Sequence, residues 1–279
     1  MREIHAQTIT QTVKELFLEA CLAPTSDINI ALQKAYQTER TPHAKEILSQ
    51  LIENNKIAVA ENIPACQDTG MAVIFADIGQ DVHIIDDLLE NAVNEGVRQA
   101  YADGYYRKSV LSPLSRKNTL DNTPAIIHTR IVAGSSLTLT AAPKGFGSEN
   151  MSKIAMLKPS DGISGIVDFV VDTAKSAGGS PCPPVVLGIG IGGTFEYAAL
   201  LAKRQLLREV GSKNDDATLN DLENEIKTKI NALGMGPMGL SGDTYCLAVH
   251  IATFPTHIAG LPVAVNYCCH MLRHAQKTI

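Results

Sequence analysis

The sequence lacks the features that identify several large classes of protein. It contains no Trp, and no stretch of it approaches the roughly 18 uninterrupted apolar residues of a membrane-spanning helix. Residues 1–20 carry charges on nearly every turn and lack the apolar core of a secretory signal. We therefore expect a cytoplasmic protein that does not cross a membrane.

An excess of positive charge is also absent. The 279 residues include 24 Lys and Arg against 29 Asp and Glu, which gives a formal net charge of −5. The two signs are scattered along the chain, so no broad cationic surface is available for nucleic acid or anionic lipid. Because 45% of the residues are hydrophobic, the chain can bury an ordinary core, which excludes a disordered or fibrous protein.

The hydrophobic pattern predicts an α/β fold. Residues 4–55 place apolar side chains at three- and four-residue steps, which predicts an N-terminal helical cap. The following segments alternate short apolar runs with amphipathic helical stretches, and residues 125–132 and 135–143 are expected to be paired strands meeting at Gly134. Since no regular βαβ period is present, we predict a mixed sheet with flanking helices. We expect one domain, residues 1–279, with 1–55 as a helical subregion.

Three glycines could indicate a dinucleotide site. Gly188, Gly190 and Gly193 fit the pattern G-x-G-x-x-G between a predicted strand and a predicted helix. The helix, however, runs into the polar stretch 208–221 instead of a second parallel strand that ends in an acid. We interpret the glycines as a tight turn with close helix packing, and a nicotinamide-dependent oxidoreductase is a remote alternative.

The cysteine spacing excludes a conventional zinc knuckle, because the six cysteines include no C-x-x-C pair. A reducing cytoplasm would keep them as free thiols. Cys66 stands directly before Gln67 and Asp68 in a turn ahead of a buried strand, and Cys182 lies among three prolines in a stiff turn. Such positions favour ligands, since little chain entropy remains to be lost on binding.

The remaining cysteines divide into two groups. Cys21 and Cys246 lie on apolar stretches and are predicted to be core residues. Cys268 and Cys269 are adjacent, so strand alternation would turn at most one of them towards a site shared with the cysteines described above. Three thiolates from three loops suggest a [4Fe-4S] cluster with one iron open to substrate. A non-enzymatic iron-sulfur carrier is the alternative.

Five segments, in order, resemble the iron-sulfur class I fumarate hydratases, and specifically the α subunit of the two-subunit members. L-tartrate dehydratase α subunits share these motifs. The segments are IPACQDTGMAVIF, YYRKSVLSPLSRKNTLDNTPAIIH, PKGFGSENMSKIAMLKPSDG, CPPVVLGIGIGGTFEYAALLAKR and HIAGLPVAVNYCCHMLRHA. The resemblance implies a hydro-lyase that hydrates fumarate reversibly to L-malate, or alternatively dehydrates L-tartrate, with a [4Fe-4S] cluster held by three cysteines.

The resemblance also implies roles for individual residues. It points to Cys66, Cys182 and Cys269 as cluster ligands, with Cys268 as the fallback for the third. It implies that Gln67, Asp68, Arg107 and Gly145 bind substrate, and that Asp68 and His257 are catalytic. Relatives often have KGGGSEN where this chain has KGFGSEN, so Phe146 is a departure beside the expected backbone contact of Gly145.

The resemblance further implies a missing half of the active site. Single-chain relatives continue into a second half with a K-G-T-T motif, whose threonine is the expected base, whereas this sequence stops at Ile279. We therefore expect a separate β subunit that carries the base, a heterotetrameric assembly and a small dicarboxylate substrate.

Overall fold

The chain forms two compact units in a computed structural model that describes residues 1–279. The first unit comprises Met1–Thr25, Asn55–Phe146 and Arg273–Ile279, and the second comprises Ser26–Asn54 and Gly147–Leu272. The expected helical subregion 1–55 therefore contributes residues to both units. None of the helices is both long enough and apolar enough to cross a membrane.

Ten strands and eight α-helices follow one another without a regular repeat. In chain order they are β1 (Arg2–His5), α1 (Ala6–Ala20), α2 (Ser26–Thr38), α3 (Pro42–Glu61), β2 (Met71–Gly79), β3 (Val82–Ile85), α4 (Leu89–Asp103), β4 (Ile126–Val132), β5 (Leu137–Lys144), α5 (Phe146–Glu149), β6 (Lys153–Leu157), α6 (Gly162–Ala177), β7 (Val185–Gly192), α7 (Phe195–Gln205), α8 (Ala217–Asn231), β8 (Cys246–Phe254), β9 (Leu261–Cys268) and β10 (Ala275–Thr278). The α/β class and the mixed pairing of strands are confirmed.

The first unit is built on a four-stranded sheet of order β10-β5-β2-β4, with a separate parallel pair β1-β3. Helices α1 and α4 cover this sheet, and the periodic apolar residues of α1, including Ile9, Val13 and Phe17, are fully buried there. The expected pairing of the segments now seen as β4 and β5 is wrong, because β2 lies between them and pairs with both. As the strand with the longest buried run, β2 takes the central position.

The second unit is built on a four-stranded sheet of order β6-β9-β7-β8, with helices on both faces. One face of β7 packs with α6 and α8 in a core that includes Leu187 and Ile189. The opposite face of β7 packs with α7, and Val186 on that face belongs to a hydrophobic cluster with Leu32 and Ala35 of α2. Alternating residues of one strand therefore support two helical layers.

The glycines of β7 serve helix packing, as the sequence predicted. A Cβ atom added to Gly188 would lie 2.0 Å from the backbone oxygen of Ala202, and one added to Gly190 would lie 2.1 Å from that of Ala198. Both oxygens belong to α7, so only glycine allows this helix to approach the strand so closely. The pattern G-x-G-x-x-G therefore has a structural explanation.

The burial of His250 predicts that the protein loses stability in mild acid. This β8 residue is 2% exposed, and burial, reinforced by the positive charge of Arg208, lowers its pKa from 6.5 to about 4. The unfolded chain therefore binds a proton below about pH 6.5 that the folded chain takes up only near pH 4. The contribution of neutral His250 to the free energy of unfolding is therefore complete above pH 6.5. Through this group alone, the free energy of unfolding falls by about 2 kcal/mol by pH 5.

Urea unfolding at pH 7 and pH 5 measures this effect. A His250→Gln variant, which does not titrate, should lose about 2 kcal/mol less than the unchanged protein between the two pH values. The difference between pH values cancels any constant cost of the substitution. Equal losses in the two proteins would show that His250 is not the acid-sensitive group.

Candidate active site

The CQDTG segment, residues Cys66–Gly70, connects the end of α3 to the start of β2. Its shape requires glycine at its last position, because Gly70 has a φ of +79° and a Cβ there would lie 2.7 Å from the backbone nitrogen of Lys144. The sequence prediction that Gly70 fixes this turn is confirmed. Cys66 is partly exposed and Gln67 is exposed, so both side chains are accessible.

Buried donors from three separate parts of the chain hold the backbone carbonyls of the CQDTG segment. The Tyr101 hydroxyl donates to the carbonyl oxygen of Thr69 at 2.6 Å and to that of Gly70 at 3.1 Å. Asn122 Nδ2 also donates to the Gly70 oxygen, at 3.2 Å. Arg273 Nη2 donates to the carbonyl oxygen of Asp68. The segment is therefore fixed by side chains rather than by regular secondary structure.

The Asp68 carboxylate is held by two backbone donors. Oδ1 accepts from the Gly70 nitrogen at 2.9 Å, and Oδ2 accepts from the Phe146 nitrogen at 2.9 Å. A Cβ on Gly145 would lie 3.2 Å from Oδ2, so the glycine also borders this carboxylate. The structure thus brings together Asp68 and Gly145, as expected. Phe146 contributes its backbone N–H, which accounts for the tolerance of a larger side chain at this position.

Arg107 is tied to the same segment through its backbone. The Thr69 hydroxyl donates to the carbonyl oxygen of Arg107 at 3.1 Å. Next along the chain, the nitrogens of Ser109 and Val110 both donate to Asn122 Oδ1. The guanidinium of Arg107 is exposed and forms no ion pair. A fixed backbone with a free cationic side chain suits the binding of a carboxylate.

Cys182 and Cys269 lie at one end of the sheet in the second unit. Cys182 is exposed, has a φ of +55° and lies three residues before the start of β7, whereas Cys269 directly follows β9. The two strands are antiparallel with Val186 opposite Cys268, so the start of β7 adjoins the end of β9. The structure therefore places two of the three predicted ligands on the same edge of this unit.

The six cysteines form no disulfides and differ in accessibility. Cys268 is 5% exposed and packs in the hydrophobic core, whereas Cys269 is partly exposed. Cys21 and Cys246 are buried as predicted, and burial raises the pKa of the Cys21 thiol to about 11 and that of the Cys246 thiol to about 12. These two thiols stay protonated at neutral pH, which makes them poor metal ligands.

His257 lies at the opposite end of the same sheet. It stands in the loop between β8 and β9, where its Nδ1 accepts from the Ala259 nitrogen at 3.2 Å. The eight residues of β9 separate it from Cys269, a span of about 25 Å at the usual rise per residue. The structure does not bring His257 together with Cys182 and Cys269, so its catalytic role stays a prediction that this geometry does not support.

A polar network supports the strand that leads to Cys269. Asn266 Nδ2 on β9 donates to Glu149 Oε2 at 3.0 Å and to the Ser152 hydroxyl at 2.9 Å. Glu149 also accepts from Lys203 Nζ at 2.6 Å. Glu149 belongs to the KGFGSEN motif and Asn266 to the V-N-x-x-C spacing. These two motifs are therefore joined by direct hydrogen bonds within the second unit.

The sequence alone did not indicate the residues that hold the CQDTG segment in place. Tyr101 lies on the buried face of α4, where the pattern predicts an ordinary core residue. Asn122 lies in a stretch without hydrophobic periodicity. Arg273 follows Cys269 by four residues, and an arginine near a chain end normally indicates a solvated side chain. Only the tertiary structure shows that all three side chains point to one loop.

An open groove in the second unit contains none of the predicted site residues. It has a volume of about 910 Å³ and is bordered by α2, α8 and the start of β8. Its buried carboxylate, Glu223, already accepts hydrogen bonds from Arg208 and Asn214. Neither unit alone holds three or more His, Cys, Asp or Glu side chains grouped to bind a metal ion.

The comparison with known families agrees with the motifs and the geometry. The sequence model described as fumarate hydratase (Fumerase) matches residues 10–278. The chain belongs to this family, which places it among the hydro-lyases.

Particular relatives are named as subunits. The "Putative L(+)-tartrate dehydratase subunit alpha" of Methanocaldococcus jannaschii is 43% identical over 277 residues, which cover 97% of each chain. The "L(+)-tartrate dehydratase subunit alpha" of Escherichia coli K12 is 28% identical over 247 residues, which cover 87% of this chain and 81% of the relative. Both names denote one chain of a multi-subunit enzyme.

Substituting Gly70 tests whether the shape of the CQDTG segment matters for folding. Gly70→Ala should lower the free energy of unfolding by about 3 kcal/mol, because left-handed strain adds to a clash with the backbone of β5. Gly134→Ala is the matched control, since Gly134 also has a positive φ, +99°, but an added Cβ meets nothing within 4 Å. It should cost only about 1 kcal/mol. Equal losses in urea unfolding would contradict the proposed close approach.

Proposed function

We propose that this chain is the α subunit of a [4Fe-4S]-dependent hydro-lyase that hydrates fumarate reversibly to L-malate. The observation that carries the proposal is the family match over residues 10–278, combined with a CQDTG segment that is anchored on every side. A non-catalytic iron-sulfur carrier would not require Asp68 in the CQDTG segment together with an Arg107 whose backbone is hydrogen-bonded to that segment.

Cys66, Cys182 and Cys269 are the proposed cluster ligands. The chemistry of this donor set suits an iron-sulfur cluster, because all three are cysteines outside any disulfide whose side chains are partly or fully exposed. Cys268 is the weaker choice for the third ligand, since its side chain is committed to the core. When bound, a cluster held by three thiolates supplies one open iron that acts as a Lewis acid.

The residues around the CQDTG segment would bind and orient the substrate. Arg107 presents a free guanidinium for a substrate carboxylate, and the exposed amide of Gln67 lies beside the first ligand. Asp68 is held rigidly by the N–H groups of Gly70 and Phe146, so it can accept or return a proton from a fixed position. Gly145 leaves space next to this carboxylate.

L-tartrate is the second candidate substrate. The relatives named L(+)-tartrate dehydratase subunit alpha favour it, since one of them shares 43% of its residues over nearly the whole chain. L-malate, the hydration product of fumarate, and L-tartrate are both 2-hydroxy dicarboxylates, so the same residues would bind either one.

We further propose a β subunit as the partner, because both relatives are named as α subunits. The partner would supply the base that removes the substrate proton, and the expected assembly is a heterotetramer in the cytoplasm.

Cluster binding tests the ligand assignment. Anaerobically reconstituted protein should contain about four iron atoms per chain. Serine at Cys66, Cys182 or Cys269 should abolish most of the iron and its visible absorbance, whereas serine at the buried Cys21 or Cys246 should not. If Cys268→Ser loses the iron and Cys269→Ser retains it, the third ligand is assigned wrongly.

The partner and substrate are tested with the α and β chains purified separately. We expect the α chain to hold a cluster but to lack activity, and the mixture to convert fumarate faster than L-tartrate. Arg107→Lys should reduce kcat/KM at least tenfold, by about 1.4 kcal/mol, without changing iron content, because the planar fork is lost. Faster conversion of L-tartrate would favour the second candidate, and full activity of α alone would refute the divided site.

A further inference from the structure

Arg273 is a buried cation that forms no ion pair. It is 3% exposed and lies in the first unit, two residues before β10. Nη2 donates to the backbone oxygen of Asp68, whereas Nε and Nη1 are buried without a hydrogen-bond partner. The guanidinium forms no ion pair with any carboxylate. Burying a charge in this way is strongly unfavourable unless something balances it.

The ionisable side chains of Cys21 and Tyr101, which lie near Arg273, do not supply a negative charge. Burial raises the pKa of the Cys21 thiol to about 11 and holds the pKa of Tyr101 well above its usual value, although the charge of Arg273 acts in the opposite direction on both. Cys21 and Tyr101 are therefore neutral at pH 7. The guanidinium under the CQDTG segment therefore has no anionic hydrogen-bond partner, because the Asp68 carboxylate accepts from the N–H groups of Gly70 and Phe146 instead.

A hydrogen bond to the Asp68 carbonyl does not require a charge. Tyr101 and Asn122 hold the carbonyls of Thr69 and Gly70 in the same segment with neutral donors. An uncharged side chain at position 273 could do the same without the cost of burying a cation. The positive charge is therefore the feature of Arg273 that needs an explanation.

We propose that Arg273 is a positioning residue that holds Asp68 by its carbonyl and supplies a fixed positive charge to balance the anions bound at the CQDTG segment. This inference rests on the proposed function, in which the anions are the thiolate-bound cluster, which is net negative, and the dicarboxylate substrate. A fixed cation near the cluster also favours its reduced form, because reduction adds a negative charge.

A redox titration of the reconstituted cluster, followed by EPR, tests the charge. Arg273→Gln should shift the reduction potential to more negative values, whereas Arg273→Lys should keep it close to that of the unchanged protein. Arg2→Gln is the matched control, because Arg2 is an exposed arginine of the same unit that also donates to a backbone carbonyl, that of Ser135. The control should leave the potential unchanged. An unchanged potential in Arg273→Gln would overturn the inference.

Melting of the cluster-free chain separates this role from a purely structural one. Without the anions, Arg273→Gln should melt at or above the temperature of the unchanged protein, because removing a buried charge that has no ion-pair partner offsets the lost hydrogen bond. A cluster-free Arg273→Gln chain that fails to fold, or melts far lower, would overturn the inference and assign Arg273 to the scaffold. If the unchanged protein binds no iron, the proposed function fails and this inference fails with it. If the cluster is normal and Arg273→Gln leaves its reduction potential unchanged, only this inference is refuted and the proposed function stands.

Discussion

The anchoring of three consecutive backbone carbonyls is the interaction on which the candidate site depends. The segment from Asp68 to Gly70 has no strand or helix partner for these groups, so buried side chains must satisfy them. Arg273, Tyr101 and Asn122 do so from three distant parts of the chain. As a result, Cys66, Gln67 and Asp68 are presented by a rigid loop, which is what precise binding of a small substrate requires.

The same principle explains why the cysteines of this protein differ in chemistry. Cys21 and Cys246 are enclosed by apolar side chains, so the thiolate form is too costly to be populated at neutral pH. Cys66, Cys182 and Cys269 lie instead in connecting segments outside the strands, where they are partly or fully exposed. Burial, rather than closeness to a strand end, therefore separates the packed cysteines from the candidate ligands, since Cys246 begins β8 and Cys268 ends β9 and both are buried.

The sequence predicted several helices and strands but missed the short strands β1, β3, β6 and β10, and it did not predict the long-range strand partners. The local hydrophobic pattern was sufficient to predict α1 and β7. The close approach of the α7 backbone explains the glycines at positions 188 and 190. Pairing of β4 with β5 was expected from their adjacency in the chain, yet the more buried β2 lies between them. Neither adjacency nor periodicity carries information about such a competition.

The site was predictable in its exposed parts and not in its buried supports. The motif CQD and its glycine indicated the loop directly, whereas Arg273 has no local signal that separates a buried cation from a solvated one. His257 shows the opposite limit, because its spacing of twelve residues from Cys269 matches the expected motif although β9 holds the two apart. The number of residues between His257 and Cys269 therefore gives their distance in space only when the course of β9 between them is known.

Anomalous diffraction at the iron edge, from crystals of the anaerobically reconstituted protein, would locate the cluster directly. We expect iron density bonded to the Sγ atom of Cys66, with the Asp68 carboxylate still held by the N–H groups of Gly70 and Phe146. Iron bound elsewhere in the chain, with Cys66 free, would contradict the assignment of the CQDTG segment as the core of the active site.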